Sequence, residues 1–112
     1  MNKRDKVIIQ KIIDEICVIT QLIDGIDEAA FLASEEKTRA VCMTLINIGE
    51  LVKNLSDDFR NSNTHIPWRK LAGLRDVTAH GYFTLRMSDI WIYATMELPA
   101  HAALIRELLE GM

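Results

Sequence analysis

Residues 5–24 read DKVIIQKIIDEICVITQLID and show the helical period that dominates the chain. Isoleucines recur there at steps of three and four residues, which places them on one stripe of an α-helix. They are Ile9, Ile12, Ile13, Ile16, Ile19 and Ile23. Gly25 follows and is suited to end the helix. Because β-branched residues lower helix propensity, this helix depends on packing its stripe against partners.

The same period predicts a second helix from about Glu35 to Leu55, with Ser34 as its N-terminal cap. Its apolar stripe consists of Val41, Leu45, Ile48, Val52 and Leu55. Gly49 lies in the middle of this helix, where a glycine costs about 1 kcal/mol relative to alanine. We therefore expect another backbone to pass close to Gly49.

The middle of the chain predicts a loop followed by a third helix. Residues 56–66 are polar and have no helical period. Pro67 suits the first position of a helix, and we expect that helix to run towards His80. Gly81 then serves as its stop.

The C-terminal part predicts one or two further helices. Ser88 can cap a helix that starts near Asp89. Pro99 should kink or break that helix, so residues 100–110 can count as a fifth. Four or five helices with short connections predict an all-α, up-and-down bundle that forms a single domain over residues 1–112.

Composition bounds the class of protein. The 112 residues are 49% hydrophobic and 26% charged, which is typical of a folded domain rather than a disordered chain. The net charge of −3 argues against a protein that coats nucleic acid through its overall charge. We expect no membrane span and no signal peptide. Cys17 and Cys42 fit reduced core thiols, so we expect a cytoplasmic protein.

Positive charge collects in one window of the chain. Between residues 60 and 86 five cationic side chains stand against the single carboxylate of Asp76. The cations are Arg60, Arg69, Lys70, Arg75 and Arg86. Two interpretations stay open, a solvated helix face and a site for an anion or a phosphate.

The end of the predicted third helix combines groups that could catalyse RNA cleavage. Asp76 and His80 are four residues apart, so on a helix they share a face, and the carboxylate favours the charged imidazole. A histidine there can take the proton of a ribose 2′-OH, and the guanidinium of Arg75 can stabilise charge on the attacked phosphate. The alternative is a histidine that only caps helix carbonyls, since Arg-x4-His recurs by chance.

Several short motifs together resemble the HepT-like toxins of the HEPN superfamily. The resemblance covers the chain from about Ile9 to Leu109. Its motifs are NIGEL (47–51), IPW (66–68), LAGLRD (71–76), HGY (80–82) and DIW (89–91). It implies a HEPN-like helical bundle that forms a homodimer, with the Arg75/His80 cleft at the interface.

The resemblance also implies an activity and a partner. Arg75 and His80 would be the catalytic pair of a metal-independent endoribonuclease that needs no cofactor. Asp76 would be a supporting residue at a position where Asn is commonest in the family. The toxin would be neutralised by an MNT-type nucleotidyltransferase antitoxin, which would attach AMP to the hydroxyl of Tyr82. An adenylate two residues from His80 would block the cleft and add negative charge there.

Other chemistry-bearing residues have less specific interpretations. Glu50 interrupts an apolar part of the second helix and is either a surface residue or a group that holds Arg75. Trp68, Trp91 and Tyr93 fit packing positions, and His65 lies in a polar loop. We expect no metal site, because there is no Glu-x-x-His pair and the cysteines and histidines are scattered.

A second hypothesis remains beside the ribonuclease. The bundle could be a non-catalytic partner or nucleotide-binding subunit of a nucleotidyltransferase, whose Arg–His cleft binds an anion without cutting RNA. The acidic net charge and Asp76 favour it. A purely structural dimer would leave the clustered arginines unexplained.

Overall fold

The computed structural model describes residues 2–77 and 86–112, and these residues form helices without any β-strand. The α-helices are α1 (Lys3–Ile23), α2 (Glu28–Ala33), α3 (Glu35–Lys53), α4 (Asp57–Ser62), α5 (Trp68–Ala72), α6 (Met87–Ile92) and α7 (Leu98–Glu110). A 3₁₀ turn (Gly73–Val77) follows α5, and a π turn (Tyr93–Glu97) joins α6 to α7. The predicted all-α fold is confirmed.

The two long N-terminal helices form as their apolar stripes predict. The isoleucine stripe of α1 is buried from Ile9 to Ile19 and half-buried at Ile23, and Gly25 ends the segment with a φ of +75°. Helix α3 begins after Ser34, whose hydroxyl accepts a hydrogen bond from the backbone N–H of Lys37. The helices run antiparallel, because Lys37 reaches the carbonyl of Leu22 while Asn47 contacts Glu15.

Two short helices lie where the sequence analysis expected none. Helix α2 was not predicted, and α4 lies in residues 56–66, for which the predicted loop is wrong. Each is only six residues long, so no apolar period can show. Asp27 caps α2 and Ser56 caps α4, while Phe31 and Phe59 anchor the two helices in the core.

The predicted third helix is shorter than expected. Pro67 occupies the cap position, and the α-helix runs only from Trp68 to Ala72. The backbone then tightens into the 3₁₀ turn, so a single α-helix towards His80 is wrong for residues 73–77. His80 and the predicted stop at Gly81 lie outside the described residues.

The C-terminal helices differ from the prediction at their start. Helix α6 begins at Met87 with Arg86 at its cap position, so Ser88 does not cap it. The π turn precedes Pro99, which lies in the first turn of α7, where a missing N–H is tolerated. The chain therefore changes helix type before the proline, and α7 begins at Leu98 rather than at residue 100.

The core holds α3 in place and thereby positions the site. Ile12 of α1, Ile48 of α3, Leu71 of α5 and Ile105 of α7 are fully buried in one cluster. Among the described residues, no helix is long and apolar enough to cross a membrane.

Candidate functional site

The 3₁₀ turn that carries Arg75 packs directly on α3. A Cβ atom added at Gly49 would overlap the backbone nitrogen of Arg75 and would lie 3.0 Å from both the carbonyl oxygen of Ala72 and the Cβ of Arg75. The prediction that another backbone passes close to Gly49 is thus confirmed. The backbone in question is the one that bears the proposed catalytic arginine.

The guanidinium of Arg75 lies between two carboxylates. Its Nη1 is 3.5 Å from Oε1 of Glu50, and its Nε is 3.3 Å from Oδ1 of Asp76. The side chains are 38% exposed for Arg75, 54% for Glu50 and 53% for Asp76. Ion pairs this exposed contribute about 0–1 kcal/mol. The guanidinium can therefore exchange a carboxylate for an incoming phosphate at little cost.

The structure thus brings together three of the five residues that the sequence analysis singled out. Glu50 is both exposed and in contact with Arg75, so the two alternatives stated for it hold at once. Asp76 is held on the 3₁₀ turn rather than on an α-helix. His80 and Tyr82 lie outside the described residues, so their proposed roles stay predictions.

The cations of residues 60–86 do not all converge on Arg75. Arg60 pairs with Asp57 on α4, and Lys70 pairs with Glu97 of the π turn. Arg69 lies on the exposed side of α5, and Arg86 is exposed before α6. The cationic side chains of residues 60–86 therefore fall into separate local groups, and Arg75 on its 3₁₀ turn forms one of them.

Glu50 also lines an acidic groove. It has a volume of about 410 Å³ and runs between α1 and α3. Of the described residues, Asp14, Glu15 and Glu50 line it together with one cation, Lys11. This groove disfavours polyanions, so it limits the directions from which a phosphate chain can approach Arg75.

The aromatic residues fill packing positions. Trp68 is buried, and its indole N–H donates to the carbonyl of Asn63 at 2.9 Å. Trp91 packs on Phe31 with ring centroids 5.3 Å apart. These contacts confirm the packing interpretation for both tryptophans. His65 is exposed, as predicted.

A polar contact that the sequence analysis missed joins the π turn to α7. The hydroxyl of Tyr93 lies 3.0 Å from Nδ1 of His101. Burial, and to a lesser degree Glu97, raises the pKa of Tyr93 well above its usual range. Burial and Lys70 lower the pKa of His101, against the opposite effect of Glu97. The sequence signal for this contact is the spacing of Tyr93 and His101, since residues eight positions apart are about two helical turns apart and lie near the same face.

Within residues 2–77 and 86–112, no three His, Cys, Asp or Glu side chains come together in a group that could hold a metal ion. Cys17 and Cys42 are free thiols, and burial raises the pKa of Cys42.

Comparison with known proteins gives one consistent family. The family model described as Ribonuclease HepT-like matches residues 9–108. A protein of Caldanaerobacter subterraneus subsp. tengcongensis named "Putative RNase TTE0752" is 32% identical over 102 residues, which cover 91% of each chain. The "Probable ribonuclease HepT" of Thermococcus cleftensis is 30% identical over 100 residues, 89% of this chain and 91% of its own.

A third relative shows the same relationship over a shorter span. "Putative RNase MJ0127" of Methanocaldococcus jannaschii is 35% identical over 82 residues, which cover 73% of this chain and 68% of that protein. No solved structure matches the chain.

Proposed function

The chain belongs to the HepT-like ribonuclease family of the HEPN superfamily, and from that premise we propose that it is a metal-independent endoribonuclease. The observation that carries the proposal is the family match over residues 9–108, which includes the turn that holds Arg75 against Gly49. The names of the relatives, which describe ribonucleases, support the same activity.

The proposed reaction needs only groups of this chain and of the RNA. His80 removes the proton from a ribose 2′-OH, and the resulting oxygen attacks the adjacent phosphorus. The new O2′–P bond forms as the P–O5′ bond breaks. The proton from His80 passes to the leaving O5′, so one product ends in a 2′,3′-cyclic phosphate and the other begins with a 5′-OH.

In this mechanism Arg75 stabilises the negative charge that grows on the phosphate oxygens. Glu50 and Asp76 are positioning residues, because they hold the guanidinium by exposed contacts that a phosphate can replace. The negative charge of Asp76 also opposes phosphate binding and should moderate the rate of cleavage.

We propose further that two copies form a homodimer across the Arg75/His80 cleft. The described residues include large apolar side chains that are exposed in one chain, among them Val7 at 53% and Met43 at 60%. Burying such residues in an interface would be favourable. A mass from light scattering at micromolar concentration that equals one chain would refute the dimer.

The toxin role and its regulation are also proposed. A small MNT-type nucleotidyltransferase would act as the antitoxin and transfer AMP to the hydroxyl of Tyr82. Coexpression with that antitoxin should raise the intact mass of the chain by one or more adenylates, and Tyr82→Phe should abolish the increase. An unchanged mass despite neutralisation would mean inhibition by binding alone.

The experiment that tests the activity is RNA cleavage by the purified chain in excess EDTA. Wild type should cut RNA, whereas His80→Ala and Arg75→Ala should not. Lys70→Ala is the matched control, since it removes a cation from the same window that is already paired with Glu97. Cleavage by His80→Ala would overturn the catalytic assignment.

The second candidate is a non-catalytic partner or nucleotide-binding subunit of the nucleotidyltransferase. The two carboxylates beside Arg75 favour it, because their negative charge opposes the stabilisation of charge that develops on a phosphate during cleavage. Absence of cleavage by an unmodified wild-type chain, together with tight binding to the transferase, would support this candidate. The intact mass of the sample shows whether Tyr82 is unmodified.

A further inference from the structure

A second groove lies at the C-terminal end of α3. It has a volume of about 630 Å³ and lies between the end of α3, α4 and the start of α5. In the described part of the chain its charged lining consists of Lys53, Arg60 and Arg69 and one carboxylate, that of Asp57. We refer to it as the basic groove.

The basic groove begins where Arg75 packs. Lys53 follows Gly49 by one turn of α3, a rise of about 5–6 Å, so both residues lie on the helix face towards α5. Ala72 lines the groove, and its carbonyl oxygen lies against Gly49 beside Arg75. Arg69 precedes Ala72 by about one turn. Through Ala72 the groove therefore adjoins the backbone turn that carries Arg75, and it extends along α5 towards α4.

Two of the cations in the groove are available to a ligand. Within the described parts of the chain, Lys53 and Arg69 form no ion pair, whereas the neighbouring Lys70 is bound to Glu97 on the other side of α5. Arg60 is paired with Asp57 and contributes less net charge. Among the described residues that line the groove, Lys53 and Arg69 are thus the cations without an ion-pair partner.

The groove contacts a ligand through charge rather than through aromatic stacking. The ring of Trp68 is only 8% exposed, and its N–H is already bonded to the carbonyl of Asn63. A strand held here would therefore be recognised by its phosphates, which carry no sequence information.

From this arrangement we propose that the basic groove holds the phosphate backbone of the RNA strand next to the cleavage site, with Lys53 and Arg69 each contacting a phosphate. The inference rests on the proposed ribonuclease function and adds the path of the substrate. The acidic groove beside Glu50 repels the strand, so the RNA runs from Arg75 towards α4 rather than towards α1.

The test is the salt dependence of binding to a single-stranded RNA that carries 2′-O-methyl groups and cannot be cut. Each phosphate contact contributes about −0.7 to the slope of log K against log[salt] for a single strand. Lys53→Gln and Arg69→Gln should each reduce the slope by about 0.7, and the double variant by about 1.4. Lys53→Arg should retain the wild-type slope, and so should the control Lys70→Gln.

Cleavage assays separate this inference from the function on which it rests. The double variant should cut long RNA with a raised KM but should cut a dinucleotide as wild type does, because a dinucleotide does not reach the groove. A wild-type slope in the double variant, while wild type cleaves RNA, would overturn the inference and leave the function intact. Loss of binding to an acidic protein partner without any change in RNA binding would overturn it too. A wild-type chain that neither binds nor cuts RNA would overturn both.

Discussion

The substitution Gly49→Ala tests whether α3 positions Arg75. The added Cβ would overlap the backbone nitrogen of Arg75 and crowd the carbonyl oxygen of Ala72. Both neighbours are backbone atoms, so no side chain can rotate away. The 3₁₀ turn must instead move by on the order of 1 Å to restore ordinary carbon contact distances.

The expected magnitudes follow from two opposing effects. Alanine stabilises a helix by about 1 kcal/mol relative to glycine, whereas overpacking costs about 1–3 kcal/mol. The net loss in the free energy of unfolding should be about 0–2 kcal/mol. For a chain of 112 residues, each kcal/mol lowers Tm by about 4 °C. A displacement of about 1 Å at a catalytic group can reduce kcat/KM by about 100-fold.

The same turn offers a matched control in Gly73→Ala. Gly73 has a φ of −65°, and a Cβ there would have no atom within 4 Å. Alanine at Gly73 should stabilise the protein by about 0.4–1 kcal/mol through the unfolded state and should leave cleavage unchanged. The assays are urea unfolding and the kcat/KM for RNA. Equal stability and equal activity in the two variants would refute the claim that Gly49 sets the position of Arg75.

Three further outcomes are expected. Asp5 is 1% exposed and accepts hydrogen bonds from the N–H and the hydroxyl of Ser56 at 2.9 and 2.7 Å, so Asp5→Ala should lower the free energy of unfolding by about 3 kcal/mol. The exposed control Asp14→Ala should change it by less than about 0.5 kcal/mol, and similar effects in urea unfolding would contradict this account. Asp76→Asn should lower the KM for RNA without a measurable change in stability, because it removes a carboxylate that competes for Arg75; an unchanged or raised KM would count against that competition. The folded state lowers the pKa of His101 below the usual 6.5, so the unfolded chain binds more protons and stability should fall as the pH drops below about 6.5. In urea unfolding, the free energy of unfolding should decrease less between pH 7.5 and pH 5.5 for His101→Gln than for wild type. An equal decrease would show that His101 does not contribute to this pH dependence.

The parts of the fold that could be predicted are those whose signals extend over several turns. The apolar stripes of α1 and α3 are long enough to define one apolar face on each helix, and that face packs against the core. Helix α4 has a clear cap in Ser56 but only six residues, so its formation depends on tertiary contacts. One of them, the bond from Ser56 to Asp5, spans 51 positions of the chain. Such a contact leaves no mark in the local sequence.

The C-terminal helices show a second limit of local signals. Ser88 is a good capping residue, yet the helix starts one residue before it, at Met87. Tertiary packing explains the difference, since the Met87 Sδ lies 3.9 Å from the buried Cys42 Sγ. A cap contributes only about 1 kcal/mol, so packing can override it.

The candidate site was likewise predictable in part, where a signal is local, and not where it depends on contacts between distant residues. The sequence predicts that a backbone approaches Gly49, because a glycine in a helix interior needs a reason. It does not predict which backbone approaches, since Arg75 lies 26 positions further along the chain. The contact between Glu50 and Arg75 was one of two open alternatives for the same reason. The sequence thus identifies the residues of the site, whereas the contacts between them could be established only from the fold.

The net charge of a chain is a poor guide to whether it binds RNA. A net charge of −3 argues against RNA as a ligand if charge is spread evenly. The structure instead separates charges into two grooves, of which Asp14, Glu15 and Glu50 line one and Lys53 and Arg69 line the other. Screening limits the reach of each charge to about 10 Å at 0.1 M salt, so a phosphate in either groove responds to the side chains of that groove and not to the net charge. An acidic chain can therefore attract RNA at one groove and repel it at the next, which would give the strand a direction across the site.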